Sequence, residues 1–441
     1  MILEPAIEQL ARPDMEALQL SRLQETVSRV YARVPFYRQA MDAAHVTPDQ
    51  IRTLRDLERL PFTRKSDLRD HYPFGLLAVP LEDVQRFHAS SGTKGKPTVV
   101  AYTRVDIRRW ARIVARAVAT AGGKPGDRFH NAYGYGLFTG GLGLHYGIEE
   151  LGAAVIPVSG GNTPRQVQLI MDFRPRGISG TPSYVMNIVD EMTRMGLDAR
   201  STSLEYGILG AEPWSESLRQ QIQEGLGIKA MDIYGLSEVI GPGVAIECIE
   251  AQNGLHIAED HFLPEVINPT TGEPVPDGET GELVFTSLTK EAFPVLRYRT
   301  GDIASLDPEP CRCGRTLVRM SRVKGRLDDM LIIRGVNVFP TEVEYVLLQI
   351  PELAPHYQIE VNRVGVMDTL EVHCEVTSEY WTAVQSVQPE HPHIQALRQK
   401  IAHLLKSDLG ISVGVRVHQP RSLARSEGKA VRIIDRRGEG S

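Results

Sequence analysis

Residues 15–43 place Leu18, Leu23, Val27, Val30 and Tyr31 on a mostly helical period, which predicts a helix interrupted at Pro35. Thr47, Pro48 and Asp49 predict a further helix start, with proline in its first turn. From about Val84 short apolar runs alternate with amphipathic stretches. Residues 153–158 (AAVIPV) are uncharged and rich in β-branched side chains, which predicts a buried strand. Thr163 and Pro164 open a helix carrying Val167, Ile170 and Met171. Thr181 and Pro182 open another, carrying Val185, Ile188, Val189 and Met192. Ile208 and Leu209 read as a strand, and residues 216–226 as a helix closed by Gly225 and Gly227. The alternation predicts an α/β core with mostly parallel strands. Beyond Gly254 the texture becomes strand-rich: 281–288 and 293–298 alternate like half-buried strands between turns. Mixed α/β patterning then returns, with a helix near 341–350, a strand over 370–376 and a helix over 394–409. Two domains are predicted, 1–325 and 326–441.

Composition narrows the class. The chain has 441 residues, with 49 Lys+Arg against 55 Asp+Glu for a net charge of −6; 42% are hydrophobic and 24% charged. Such a balance excludes a disordered tail protein, a fibrous repeat and a broadly basic nucleic-acid binder. Residues 129–148 hold no Lys, Arg, Asp or Glu and are long enough to span a bilayer. Their glycines, together with His130, Asn131 and His145, predict a glycine-rich loop flanking an active site instead. Glu4 stands where a signal peptide needs positive charge, so the expectation is a cytoplasmic protein without a membrane or nucleic-acid partner.

Candidate chemistry begins at residues 90–98. Ser90, Ser91, Gly92, Thr93, Lys94, Gly95 and Lys96 combine backbone freedom, hydroxyls and two ammonium groups, which suits a phosphate cradle. Ser90 occupies the position where a kinase-type P-loop needs glycine, so the fingerprint is a different one. Four cysteines in a chain this long make no disulfide scaffold. Cys248, His256, Cys311 and Cys313 form a possible Cys₃His zinc set, closed and structural rather than catalytic, with His261 as the substitute fourth ligand. Free thiols are the alternative. Cys374 reads as a buried packing thiol.

Five stretches occur in one order: SSGTKGKPT (90–98), DIYGLSEVIGPG (232–243), YRTGDI (298–303), GRLDDMLIIRGVNVFP (325–340) and EGKAVRIIDRR (427–437). The chain thereby resembles the adenylate-forming superfamily of acyl-CoA synthetases. NAYGYGLFTGGLG (131–143) and FTSLTKEAFPVLRYRT (285–300) resemble its phenylacetate–CoA ligase branch. The resemblance implies a large N-terminal adenylate-forming domain, of α/β layers plus a strand-rich subdomain, and a smaller mobile α+β C-terminal domain. It implies ATP, Mg²⁺ and coenzyme A, an aromatic carboxylic acid as substrate, and a homodimer.

It also implies residue roles. Residues 90–96 would cradle the β- and γ-phosphates, Lys94 replacing the usual threonine. Gly210, Ala211 and Glu212 would form the adenine-side turn. Asp232, Tyr234 and Gly235 would line the nucleotide, with Ser237 at the α-phosphate and Glu238 on Mg²⁺. Asp302 would take the ribose hydroxyls with Arg326 as companion. Asp328 would be the interdomain hinge, Gly335 would line the pantetheine tunnel, and Lys429 would contact the developing phosphorane charge. Tyr133, Tyr135, Phe138 and Gly140 would form the acid pocket. Other readings remain: a benzoate- or anthranilate-type ligase, an adenylating enzyme with another thiol acceptor, or a zinc-stapled scaffold without catalysis.

Overall fold

The computed structural model describes residues 1–90, 97–334, 336–364, 367–425 and 431–437. The chain forms two compact units: Met1–Gly180, Ser201–Ala211 and Ile228–Val323 make the first, and Thr181–Arg200, Glu212–Gly227 and Lys324–Ser441 the second.

The first unit opens with helices α1 (Pro5–Glu8), α2 (Arg12–Arg33), α3 (Pro35–Ala43) and α4 (Lys65–Asp70). Proline sits in the first turn of α2 and α3, and Val34, extended, separates the two as Pro35 requires. The hairpin β1 (Val84–Ala89) and β2 (Val99–Thr103) follows, then α5 (Arg104–Thr120). Thr103 caps α5 by accepting from the Asp106 backbone N–H while Asp106 accepts from Thr103 N, a reciprocal box that fixes the strand-to-helix corner.

Next come β3 (Arg128–Asn131), α6 (Thr139–Glu150), β4 (Ala154–Ile156), α7 (Thr163–Phe173) and β5 (Gly177–Gly180). The chain passes through α8 (Pro182–Arg194) of the second unit and returns for β6 (Tyr206–Gly210). It leaves again for α9 (Glu216–Leu226) and returns for β7 (Lys229–Leu236), β8 (Gly241–Glu247) and β9 (Leu255–Ile257). Strands β4, β3, β5, β6 and β7 lie in that order and parallel; β8 and β9 continue the sheet antiparallel. A separate antiparallel group holds β10 (Phe262–Ile267), β11 (Gly281–Ser287) and β12 (Tyr298–Ala304). Short strands β13 (Leu306–Asp307) and β14 (Arg319–Met320) pair along the far edge of the large sheet.

The second unit contains β15 (Gly325–Arg326), β16 (Leu331–Ile333), β17 (Val336–Val338), α10 (Pro340–Leu347), β18 (Leu353–Val364), β19 (Met367–Val376), α11 (Ser378–Val384), α12 (Pro392–Leu409), β20 (Gly414–His418) and β21 (Ile433–Asp435). A sheet ordered β20-β19-β18-β21 shares one core with α10 and α12. Helices α8 and α9 join it through polar contacts: Glu344 accepts from Ser215 N at 2.9 Å, and His356 Nε2 lies 2.9 Å from Asp190.

Four expectations change. Residues 154–156 form an edge strand paired only to β3, and so are exposed or half-buried rather than enclosed. Strand β11, flanked by β10 and β12, is buried along its whole length instead of alternating. Residues 293–297 are not strand: Arg297 adopts φ +43°, and the ladder starts at Tyr298. Of the glycine-rich stretch, 129–131 belong to β3 and only 132–138 are loop; beyond Phe138 α6 is helical. Its glycines serve close packing, since a Cβ at Gly147 would come within 2.3 Å of Val114 on α5.

Candidate active site

Strand β7 carries the chain to Tyr234, where the β7–β8 register shifts between Tyr234 and Gly235. Gly235 is forced by proximity: a Cβ there would lie 2.0 Å from the Gly241 carbonyl oxygen. The Tyr234 ring stacks on Phe285 at 6.0 Å, and its hydroxyl donates to Asp302 at 2.6 Å. Asp302 is buried in β12, so the tyrosine expected beside the nucleotide and the expected ribose carboxylate are joined directly. Asp232, two residues before Tyr234, pairs with Arg322 at 3.3 Å and is braced by its backbone N–H donating to Glu247.

Ser237 and Glu238 sit in the short connection between β7 and β8, both buried. Ser237 shares a 3.0 Å hydroxyl contact with Thr139, the first residue of α6. Two aromatic side chains brace the connection and the start of β8. Tyr102 donates to the Ile240 carbonyl at 2.7 Å, Trp110 donates to the Pro242 carbonyl at 2.9 Å, and the two rings stack 5.1 Å apart. Glu238 itself has no hydrogen-bond or ion-pair partner among the described residues. A nearly buried carboxylate left open in this way fits a hard divalent cation such as Mg²⁺.

Ser90 closes the β1–β2 hairpin by donating its backbone N–H to the Thr98 carbonyl at 3.0 Å; its hydroxyl is buried without a partner among the described residues. Ser91, Gly92, Thr93, Lys94, Gly95 and Lys96, together with Gly335 and Lys429, lie outside the described residues.

On the acid-pocket stretch, Tyr135 accepts from Asn131 Nδ2 at 2.8 Å and meets His145 Nδ1 at 3.2 Å. Burial pushes its phenol up to about 12, so it stays protonated. Tyr133 is buried, while Phe138 is 42% exposed. The Phe138 ring covers Gly140 so closely that a Cβ there would meet it at 2.5 Å. Of the adenine-side turn, Gly210 is dictated by the neighbouring strand, because a Cβ would fall 2.2 Å from the Ile233 oxygen; Ala211 takes φ +69°. Glu212 accepts from Ser183 N at 2.8 Å, in the first turn of α8. Asp328 is exposed in a single 3₁₀ turn, and Arg326 lies 3.9 Å from it.

Residues 34–289 match the AMP-binding enzyme family, and residues 335–437 match the AMP-binding enzyme C-terminal domain. The chain belongs to the AMP-binding enzyme family.

Among its relatives, phenylacetate-coenzyme A ligase of Thermus thermophilus is 56% identical, covering 99% of this chain and all of that protein. The Escherichia coli phenylacetate-coenzyme A ligase is 53% identical over 98% of this chain and 97% of that one. A solved structure of 2-hydroxyisobutyryl-CoA ligase in the postadenylation state, in complex with R3-HIB-AMP, superposes with a TM-score of 0.91 at 29% identity, covering 98% of this chain and 91% of that one.

Elsewhere, this AMP-binding enzyme gathers Cys248, His256, Cys311 and Cys313 with ligand atoms all within 4.8 Å of one another. Cys248 and Cys311 sulfurs are 3.8 Å apart, and Cys313 Sγ is 3.5 Å from His256 Nε2. Hydrogen bonds from Cys248 and His256 hold the Cys313 thiol well below its usual range. Soft thiolates and an imidazole at this spacing fit zinc. His261, the substitute ligand, is occupied elsewhere: Nε2 lies 3.0 Å from Asp260 and Nδ1 2.7 Å from Thr289. Cys374 is buried in β19, as a packing thiol should be. Sequence reasoning missed Arg322 and the Tyr102–Trp110 pair, and placed Thr139 with the acid pocket rather than beside Ser237. Each belongs to a segment remote from the site residue it supports, so no local pattern marks it.

Proposed function

We propose that this chain is an ATP-dependent phenylacetate–CoA ligase, an AMP-forming acid–thiol ligase. A carboxylate oxygen attacks the α-phosphorus of ATP, the α–β bridge breaks, and acyl-AMP and pyrophosphate form. The thiol of coenzyme A then attacks the acyl carbon and AMP leaves. The observation that carries the reading is identity above 50% to phenylacetate-coenzyme A ligases over nearly the whole chain. The joined Tyr234–Asp302 pair and the open Glu238 carboxylate support it.

In this reading Tyr234 borders the adenine and orients Asp302, which accepts from both ribose hydroxyls as an ionised carboxylate can. Gly210, Ala211, Glu212, Asp232 and Gly235 complete the nucleotide side, with Arg326 the companion of Asp302. Ser90, Ser91, Gly92, Thr93, Lys94, Gly95 and Lys96 surround the leaving pyrophosphate with donors, and Ser237 and Lys429 face the phosphorus where charge accumulates. Glu238 would hold Mg²⁺, which supplies positive charge against the phosphates when bound. Tyr133, Tyr135, Phe138 and Gly140 make an aromatic slot for the acid. Residues 326–441 would turn about Asp328, first delivering Lys429 and then the coenzyme A channel at Gly335. Cys248, His256, Cys311 and Cys313 would hold a structural zinc ion. A cytoplasmic homodimer completes the proposal. Among the described residues no helix is long and apolar enough to cross a membrane.

A pyrophosphate-release screen over aromatic and aliphatic acids, with and without coenzyme A, tests it. Phenylacetate should give the highest kcat/KM. Preference for benzoate or anthranilate would move the enzyme to another aryl class, release without dependence on coenzyme A would indicate a different acceptor thiol, and silence with every acid would leave a scaffold.

A further inference from the structure

Asn131 ends β3, and its side chain is completely buried. Its Nδ2 donates to the Tyr135 hydroxyl at 2.8 Å and to the Gly141 carbonyl at 2.9 Å. Its Oδ1 accepts from the Ser179 hydroxyl at 2.9 Å and from the Tyr133 backbone N–H at 3.3 Å. One amide thereby uses both of its donors and both lone pairs of its acceptor. The partners also fix which way it points, since the Gly141 carbonyl can only accept and the Tyr133 N–H can only donate.

The four partners belong to three parts of the fold. Ser179 stands opposite Asn131 in the parallel β3–β5 register, which anchors the amide to the sheet. Tyr133 and Tyr135 lie in the 132–138 loop, and Gly141 in the first turn of α6, next to Gly140. An amide that merely closed the end of β3 would need a single partner beyond the sheet. This one directs both donors outward, one to the Tyr135 phenol and one to the start of α6.

The phenol is held from its other side as well. Having accepted from Asn131, the Tyr135 hydroxyl has its own proton to give to His145 Nδ1 at 3.2 Å, and His145 Nε2 lies 3.3 Å from Glu149 one helical turn on. The Tyr135 N–H donates to Ser159 Oγ at 3.3 Å. The loop cannot close further on the helix, because it already meets it at Gly141, where a Cβ would fall 2.4 Å from the Gly134 carbonyl oxygen. Buried, fully satisfied polar groups of this kind define one arrangement of what they join.

We propose that Asn131 is a positioning residue for the acid slot: its amide sets the Tyr135 ring and the first turn of α6 at one fixed separation, matched to a flat aromatic acid. The inference rests on the aromatic slot proposed above. It gives Asn131 no contact with substrate.

The test is Asn131→Asp, which keeps the volume and the accepting oxygen but replaces the donor facing Tyr135 and Gly141 by a second acceptor. ATP–pyrophosphate exchange is followed with phenylacetate and with hexanoate. KM for phenylacetate should rise about tenfold, inside the roughly hundredfold that a misplacement of about 1 Å can cost. The preference for phenylacetate over hexanoate should shrink by a similar factor, while KM for ATP stays at the wild-type value. Tyr135→Phe completes a double-mutant cycle: with the phenol oxygen gone, Asn131→Asp should raise the acid KM less than it does alone. Ser179→Ala loosens the amide from β5 without touching its donors. It should raise the same KM about threefold, as loss of one neutral hydrogen bond does, and it carries the test if Asn131→Asp does not fold. Equal rises in KM for the acid and for ATP, an unchanged acid preference, or additive effects in the cycle overturn the proposal, because Asn131 would then serve the fold and not the slot. The unaltered protein is measured first: if it prefers hexanoate, or is silent with both acids, the aryl-ligase reading itself fails and this inference falls with it.

Discussion

Tyr234→Phe removes one oxygen and keeps the ring, so the stacking on Phe285 at 6.0 Å survives. What is lost is a 2.6 Å hydrogen bond to Asp302, a carboxylate only 3% exposed. Hydrogen bonds to charged groups contribute about 1.5–3 kcal/mol, equivalent to about ten- to hundredfold in binding if the bond exists to aim the carboxylate at the ribose. The lower end is the better expectation, because Asp302 is also held by its backbone N–H, which donates to Thr300 Oγ1 at 3.0 Å. The assay is ATP–pyrophosphate exchange with ATP and with 2′-deoxy-ATP. KM for ATP should rise about tenfold, the preference for ATP over the deoxy analogue should shrink, and KM for the acid should not move. A variant with a lowered urea midpoint but unchanged KM for ATP and unchanged discrimination would refute the reasoning. It would mean that the bond stabilises β7 against β12 and does nothing for the ribose.

Gly147→Ala should destabilise by about 1–3 kcal/mol, because the added methyl meets Val114 at 2.3 Å in a helix pair that has no room to separate; a urea midpoint equal to that of the wild type would show that α6 can shift. Protein purified without added metal should carry about one zinc ion per chain by elemental analysis, as four ligands in one tetrahedral site require, and Cys313→Ser should lose it together with thermal stability. A zinc content of zero in the unaltered protein rejects the site.

Acid should unfold the protein in two stages. Burial lowers the His261 pKa below 6.5 although Asp260 opposes it, while Asp260 sits well below the carboxylate range because His261 and Arg116 outweigh its burial. Both bind protons more readily in the unfolded chain, so stability falls as pH drops, first below about 6.5 and then more steeply below about 3.8. Asp260→Asn should remove the second stage in pH-dependent urea titrations, and an unchanged acid limb would contradict the assignment.

Sequence alone determined a great deal here. Helices over 163–173, 182–194 and 216–226 follow from local signals: proline in the first turn of the first two, and Gly227 at φ +69° closing the third. Ordered stretches singled out Tyr234, Glu238 and Asp302, and the fold joins the first to the last by a 2.6 Å hydrogen bond. Cys248, His256, Cys311 and Cys313 were singled out together in the sequence, with free thiols as the alternative, and the fold brings their ligand atoms within 4.8 Å of one another.

Tertiary structure decided what depends on partners distant in sequence. Whether 154–156 is enclosed depends on its edge position, and whether β11 alternates depends on what covers both faces. His256 was selected over His261 because Asp260 and Thr289 already hold the latter. Gly210 and Gly140, readable as room for a ligand, are filled by the Ile233 carbonyl and the Phe138 ring. Most of all, Lys290 looks in sequence like any lysine after a strand. Only the fold buries it, 4.5 Å from the centre of the Tyr102 ring, a neighbour so distant in sequence that no local pattern could supply it.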